Sequence, residues 1–137
     1  MVGRFCRYLA VGAVLGVSAG TATAASMAAM QGAWAMSGTD CNAVFEKKGS
    51  EIHFRDPGSS LDTGIIVSGS KVVGPSATCT TAKIHEEGDH FNVLLSCSDA
   101  VLSSSVSMSF RMIDATHFDR FDPSFPDFSL SYVKCPF

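Results

Sequence analysis

Alternation with a period of two is the feature that most restricts what this chain can fold into. Val106, Met108, Phe110 and Met112 alternate with Ser105, Ser107, Ser109 and Arg111. Successive side chains of an extended strand point to opposite faces, so this segment has one apolar and one polar face only as a β-strand. Phe128, Leu130 and Tyr132 alternate with Ser129 and Ser131 in the same way, and Ile52 and Phe54 alternate with Glu51, His53 and Arg55. Trp34 and Met36, residues 91–95, and the short runs 65–67 and 71–73 add further strands. Turn signals separate them: Lys48-Gly49-Ser50, Asp56-Pro57-Gly58, Ser68-Gly69-Ser70, Gly74-Pro75 and Glu87-Gly88-Asp89. The spacing predicts eight to ten strands, one roughly every 10 residues. Only residues 25–31 read as a helical turn. The expected fold is all-β, a small antiparallel β-barrel of about eight strands. That number encloses an interior that side chains just fill or that holds one small ligand, and closure removes the exposed edges.

The chain has 137 residues, and its first 24 read as a cleavable export signal. Arg4 and Arg7 precede the apolar run 8–19, and Ala22-Thr23-Ala24 supplies a small-x-small cleavage site. The expected organisation is therefore a signal peptide at 1–24 and one domain at 25–137, exported to a bacterial periplasm or beyond. Losing the two arginines takes the formal charge from −3 to −5. So acidic a domain is unsuited to nucleic acid, which needs clustered Lys and Arg. No later apolar run approaches the ~20 residues of a membrane span. The strands expected from these short runs would also fall below the ~9–11 residues of an outer-membrane barrel.

Four cysteines remain in the expected mature domain: Cys41, Cys79, Cys97 and Cys135, separated by 38, 18 and 38 residues. No CxxC pair is present, so the spacing points to two disulfides rather than to zinc or a redox motif. Three connectivities are possible. A hairpin turning at Gly88 would set Cys79 opposite Cys97, leaving Cys41 for Cys135. Strand alternation conflicts with this, because it groups Cys97 with Phe91, Val93 and Leu95 but Cys79 with Lys83. A β-bulge would remove the conflict.

Gly32-Ala33-Trp34 at the start of the first strand resembles the G-x-W opening of calycin barrels, the group of the lipocalins and avidins, and the bacterial Inh-type metalloprotease inhibitors open in a similar way. The resemblance implies that Trp34 seals one barrel end and that an arginine, Arg120 or Arg111, packs over its indole. In the Inh case it implies that residues 25–30 enter a protease cleft. The chain departs from avidins in having a single tryptophan, which argues against biotin, and from lipocalins in its shorter length.

No catalytic constellation emerges. His85-Glu86-Glu87-Gly88-Asp89-His90 is HExxxH rather than HExxH and contains a turn rather than a helix, leaving at most a weak divalent-metal cluster or a solvated acidic loop. There is no G-x-S-x-G elbow and no phosphate-binding glycine pattern. The segment 121–128 stands out because Pro123 and Pro126 stiffen a connection carrying Phe121, Phe125 and Phe128. Those phenylalanines, with Trp34 and Arg120, are the expected barrel-end or partner contacts. The chain thus reads as a non-enzymatic binding or inhibitor module, needing no cofactor or metal, that engages a protein partner through loops. The alternatives are a carrier holding a small apolar ligand in the barrel and a structural envelope protein.

Overall fold

The computed structural model describes residues 25–59 and 61–137; the expected export signal lies outside them. Ten strands form, and eight of them close a barrel. The chain enters through a short helix, α1 (Ala25–Ala29), and runs into β1 (Gly32–Met36). It then makes an excursion through α2 (Cys41–Val44) and a separate hairpin, β2 (Phe45–Lys48) with β3 (Glu51–Phe54). From there it is a continuous antiparallel meander: β4 (Gly64–Ser68), β5 (Lys71–Val73), β6 (Thr78–Glu87), β7 (His90–Ser98), β8 (Ser103–Asp114), β9 (His117–Phe121) and β10 (Ser129–Lys134). Strand β1 closes the sheet by pairing with β10 on one side and β4 on the other, Trp34 lying opposite Lys134 and Ile65. Strands β6, β7 and β8 run to 10, 9 and 12 residues, which corrects the expectation of uniformly short strands: the paired sheet extends past the apolar runs into polar residues at both ends. No helix of the described residues is long and apolar enough to cross a membrane.

Alternation sorts the side chains as the sequence predicts. Phe91, Val93 and Leu95 on β7, Phe110 on β8, Phe118 on β9 and Tyr132 on β10 fill the interior with Trp34, Ile65, Val67 and Val72. A second apolar cluster lies outside the barrel wall. Ala33 and Ala35 point outward from β1, and their small size lets the β2–β3 hairpin approach with Phe45 and Phe54. Phe45 packs so tightly there that a Cβ on Gly64 would sit 2.8 Å from its ring and 2.6 Å from the Trp34 carbonyl oxygen. Helix α2 begins at Asp40, whose carboxylate accepts from the Asn42 amide at 2.8 Å, satisfying a free N–H of the first turn. The sequence expectations did not include α2 or β2: α2 is a single turn, and β2 carries one apolar residue, Phe45, followed by Glu46, Lys47 and Lys48, so it shows no alternation.

Both disulfides form as the hairpin geometry predicts, Cys79–Cys97 across β6 and β7 and Cys41–Cys135 from α2 to the end of β10. The required bulge is present: the register shifts between Thr81 and Lys83, and Ala82 is the extra residue. Before it, Cys79 shares the inward face with Cys97; after it, Ile84 takes that face opposite Val93. Loop-closure entropy gives the 18-residue link about 3 kcal/mol and the 94-residue link nearly 5 kcal/mol of stabilisation.

Candidate binding site

One end of the barrel is shut. Trp34 is fully buried there, edge-on to Phe118 at 4.8 Å, and Phe118 stacks on Tyr132 at 4.9 Å. The Trp34 indole N–H donates to the Met30 carbonyl at 2.7 Å, with Met30 buried beneath it. Five residues of helix are too few to be stable alone, so α1 is held by such contacts. Met27 packs on the core, and the Gln31 side chain bridges to the β4–β5 turn, accepting from the Gly69 amide at 2.7 Å and donating to its carbonyl at 3.2 Å. The cation over the indole is Lys134, whose Nζ lies 5.4 Å from the ring centroid. This corrects the expectation of an arginine: Arg111 lies over Phe121 and Arg120 over Tyr132. Lys134 stands directly opposite Trp34 in the β1–β10 register, whereas both arginines belong to strands that do not pair with β1.

The other end is open and hollow. A cavity of about 290 Å³ lies inside it, walled by Ile65, Val72, Leu95, Val106, Met108 and Phe110, with Cys79 and Cys97 at its side and Ser59, Leu61, Asp62 and the 74–77 loop at its rim. The β7 and β8 sequences explain the hollow. Read from floor to mouth, the inward residues of β7 are Phe91, Val93, Leu95 and Cys97, and those of β8 are Phe110, Met108, Val106 and Ser104. Aromatics crowd the floor, and smaller side chains leave space at the mouth.

A single cation enters this apolar space. Arg120 projects inward from β9, opposite Phe110, and its side chain is 14% exposed. It donates to Asp62 across 58 residues of sequence, and its guanidinium lies 5.3 Å from the centroid of Tyr132. The Tyr132 hydroxyl donates to the other Asp62 oxygen at 3.3 Å. Burial pushes that hydroxyl well above the usual tyrosine range, so it stays protonated and a donor. Asp62 was not singled out from the sequence: it lies in a loop without periodicity, and its partner is distant along the chain.

The aromatic segment divides. Phe121 is 5% exposed and packs on the outer wall between Arg111, at 5.0 Å, and His90, at 5.2 Å. Phe125 and Phe128 are 69% and 72% exposed, and neither lines the cavity. Phe128 therefore does not continue the alternation of Leu130 and Tyr132; β10 starts one residue later, at Ser129. The acidic turn is a hairpin, with His85 opposite Asn92 and Glu87 opposite His90. Asp89 contacts His90 at 3.0 Å and accepts from Arg111 at 2.7 Å, and these bonds, His90 first and Arg111 second, hold its carboxyl below the usual range. Among the described residues no three metal-binding side chains converge.

A wider surface groove of about 930 Å³ separates the β2–β3 hairpin from β4 and β5, where Lys48, Glu51, His53 and Lys71 mix with Ile52, Ile66 and Val73. The mouth differs in having apolar walls, a closed floor and one fixed cation, the usual composition of a small-molecule site. The molecule is a disulfide-bonded, closed eight-stranded antiparallel barrel with a pocket at one end. The chain matches no family model, no curated protein and no solved structure.

Proposed function

We propose that this protein is a non-enzymatic binding module that holds a small, mainly apolar molecule in the mouth of its barrel. The observation that carries the reading is the cavity of about 290 Å³ above a floor sealed by Trp34 and Met30. Its size lies at the lower edge of small-molecule pockets. At about 30 Å³ per displaced water it fits a ligand of roughly ten heavy atoms. The calycin resemblance favours the same use of the interior. Two disulfides suit an oxidising compartment, so we place the protein in a periplasm or outside the cell, after loss of residues 1–24. The test is a native mass spectrum of the oxidised protein purified from its own compartment, followed by titration with 1-octanol. A retained adduct or saturable octanol binding, lost on filling the mouth with Val106→Trp, is expected. Octanol binding that Val106→Trp leaves unchanged would refute the site.

A second reading, contact with a protein partner such as a secreted protease, is favoured by the exposure of Phe125 and Phe128. Residues 25–30, which the Inh resemblance assigns to a protease cleft, run instead into the barrel floor, with Met27 and Met30 packed on the core. The partner reading therefore falls to the aromatic loop. A Phe125→Ser/Phe128→Ser double variant that inhibits a secreted metalloprotease as well as the parent would dispose of it.

A further inference from the structure

We infer that the molecule held in the mouth is an amphiphile with a carboxylate, and that its acid group replaces Asp62 on Arg120. The inference rests on the proposed use of the cavity and adds the chemistry of the ligand's polar end. Arg120 is the only lysine or arginine among the residues lining the cavity, and its partner Asp62 the only acid. The two are unequally committed. The arginine side chain is 14% exposed, rooted in a barrel strand and spread over the Tyr132 ring. Asp62 is 41% exposed and belongs to the rim loop between β3 and β4. A buried guanidinium is costly without an anion, whereas an exposed carboxylate returns to water cheaply. The arginine is thus the fixed half of the pair and the carboxylate the exchangeable half. A ligand acid would accept the same guanidinium N–H bonds and the Tyr132 hydroxyl, with its chain lying along Leu95, Val106 and Met108. Arginine's planar fork suits a carboxylate in particular.

Octanoate, 1-octanol and octylamine share a chain and differ in the head group, so calorimetric titration of the oxidised protein at neutral pH tests the assignment. Octanoate should bind about tenfold more tightly than octanol, the equivalent of one charge-assisted hydrogen bond. Arg120→Gln should abolish that preference, lowering octanoate affinity about tenfold relative to octanol. Asp62→Asn removes the internal competitor and should tighten octanoate about tenfold relative to octanol. The Asp62 variant also covers the case in which Arg120→Gln fails to fold. Octylamine binding best would overturn the inference while leaving the cavity reading intact, as would equal binding of all three with no response to either substitution. If none of the three binds, the cavity reading fails and the inference falls with it.

Discussion

The two ends of this barrel are built from the same strands under the same alternation, yet one is a packed floor and the other a hollow mouth. Side-chain size makes the difference. At the floor Trp34, Phe91, Phe110, Phe118 and Tyr132 interlock as edge-on, tilted and stacked rings. At the mouth the same β7 and β8 present Leu95, Cys97, Val106 and Met108, and β4 and β5 add Ile65 and Val72. In this barrel the aliphatic side chains at the mouth leave a space of about 290 Å³ between them, whereas the aromatic rings at the floor touch one another across the interior. Stability should therefore be concentrated at one end and binding at the other.

The largest effect that would break this contrast is loss of the floor tryptophan. Trp34→Ala removes a fully buried indole, its ring contact with Phe118 and the anchor of Met30. It is expected to cost about 3–5 kcal/mol in urea unfolding of the oxidised protein, while Met108→Ala, facing the existing cavity, should cost less than about 1.5 kcal/mol. Equal costs would mean that the mouth is as tightly packed as the floor.

Enlargement should reverse the ranking. Val93 is buried beside Phe91 and Phe110, so Val93→Phe should overpack and destabilise by about 1–3 kcal/mol. Val106→Phe places the same added volume in the cavity and should leave stability within about 1 kcal/mol while removing octanol binding. Loss of stability in Val106→Phe equal to that in Val93→Phe would show that the hollow is not available to a side chain. Gly64→Ala belongs with the first of these, because its Cβ would meet the Phe45 ring and the Trp34 carbonyl. A cost of about 1–3 kcal/mol, read as a lower unfolding midpoint, is expected.

The floor was more legible in the sequence than the mouth. Gly32-Ala33-Trp34 and the alternation through Phe110 announce buried aromatics, because periodicity is a local property that every strand carries in its own residues. The disulfide pairing was legible too, since a hairpin centred on Gly88 fixes which cysteines face each other. What closes over the indole was not. Lys134 reaches Trp34 through a register between the first and last strands of the barrel, and register cannot be read from either strand alone. The Arg120–Asp62 pair was hidden for a related reason, since one half lies in an aperiodic loop. Alternation also misled at Phe128: it extends a strand past the point where the 122–128 loop, turning on the Phe125 and Phe128 amide hydrogen bonds to the Asp122 and Phe125 carbonyls, leaves the sheet. Strand β3 satisfies a strand pattern without joining the barrel, because it pairs with β2 in a hairpin whose apolar residues are matched to the outward alanines of β1 rather than to the interior.

The smallest difference between the ends is electrostatic. The β8–β9 turn at the floor end holds His117 Nδ1 2.9 Å from an Asp114 oxygen, an ion pair whenever the imidazole carries its proton, and the Thr116 amide donates to the same oxygen at 2.7 Å. Those partners, His117 first, hold the Asp114 carboxyl down from its ordinary 3.8 to about 2. At the β7–β8 turn, on the mouth side, Asp99 is also lowered, but by the Val101 and Leu102 amides and without a charged partner. A carboxyl depressed in the folded state contributes stability above its ordinary value and loses it as pH falls through the folded one. The Asp114 contribution should therefore be intact at pH 5 and disappear between about pH 4 and 2. Exposure of both partners to solvent keeps it small. In Asp114→Asn the fall in unfolding midpoint across that window should be shallower than in the parent. Because the Asp99 bonds come from neutral amides, added salt should flatten the Asp114 part of the acid transition and leave the Asp99→Asn difference unchanged. Equal salt sensitivity at the two turns would remove the electrostatic distinction between the ends and leave packing as the only one.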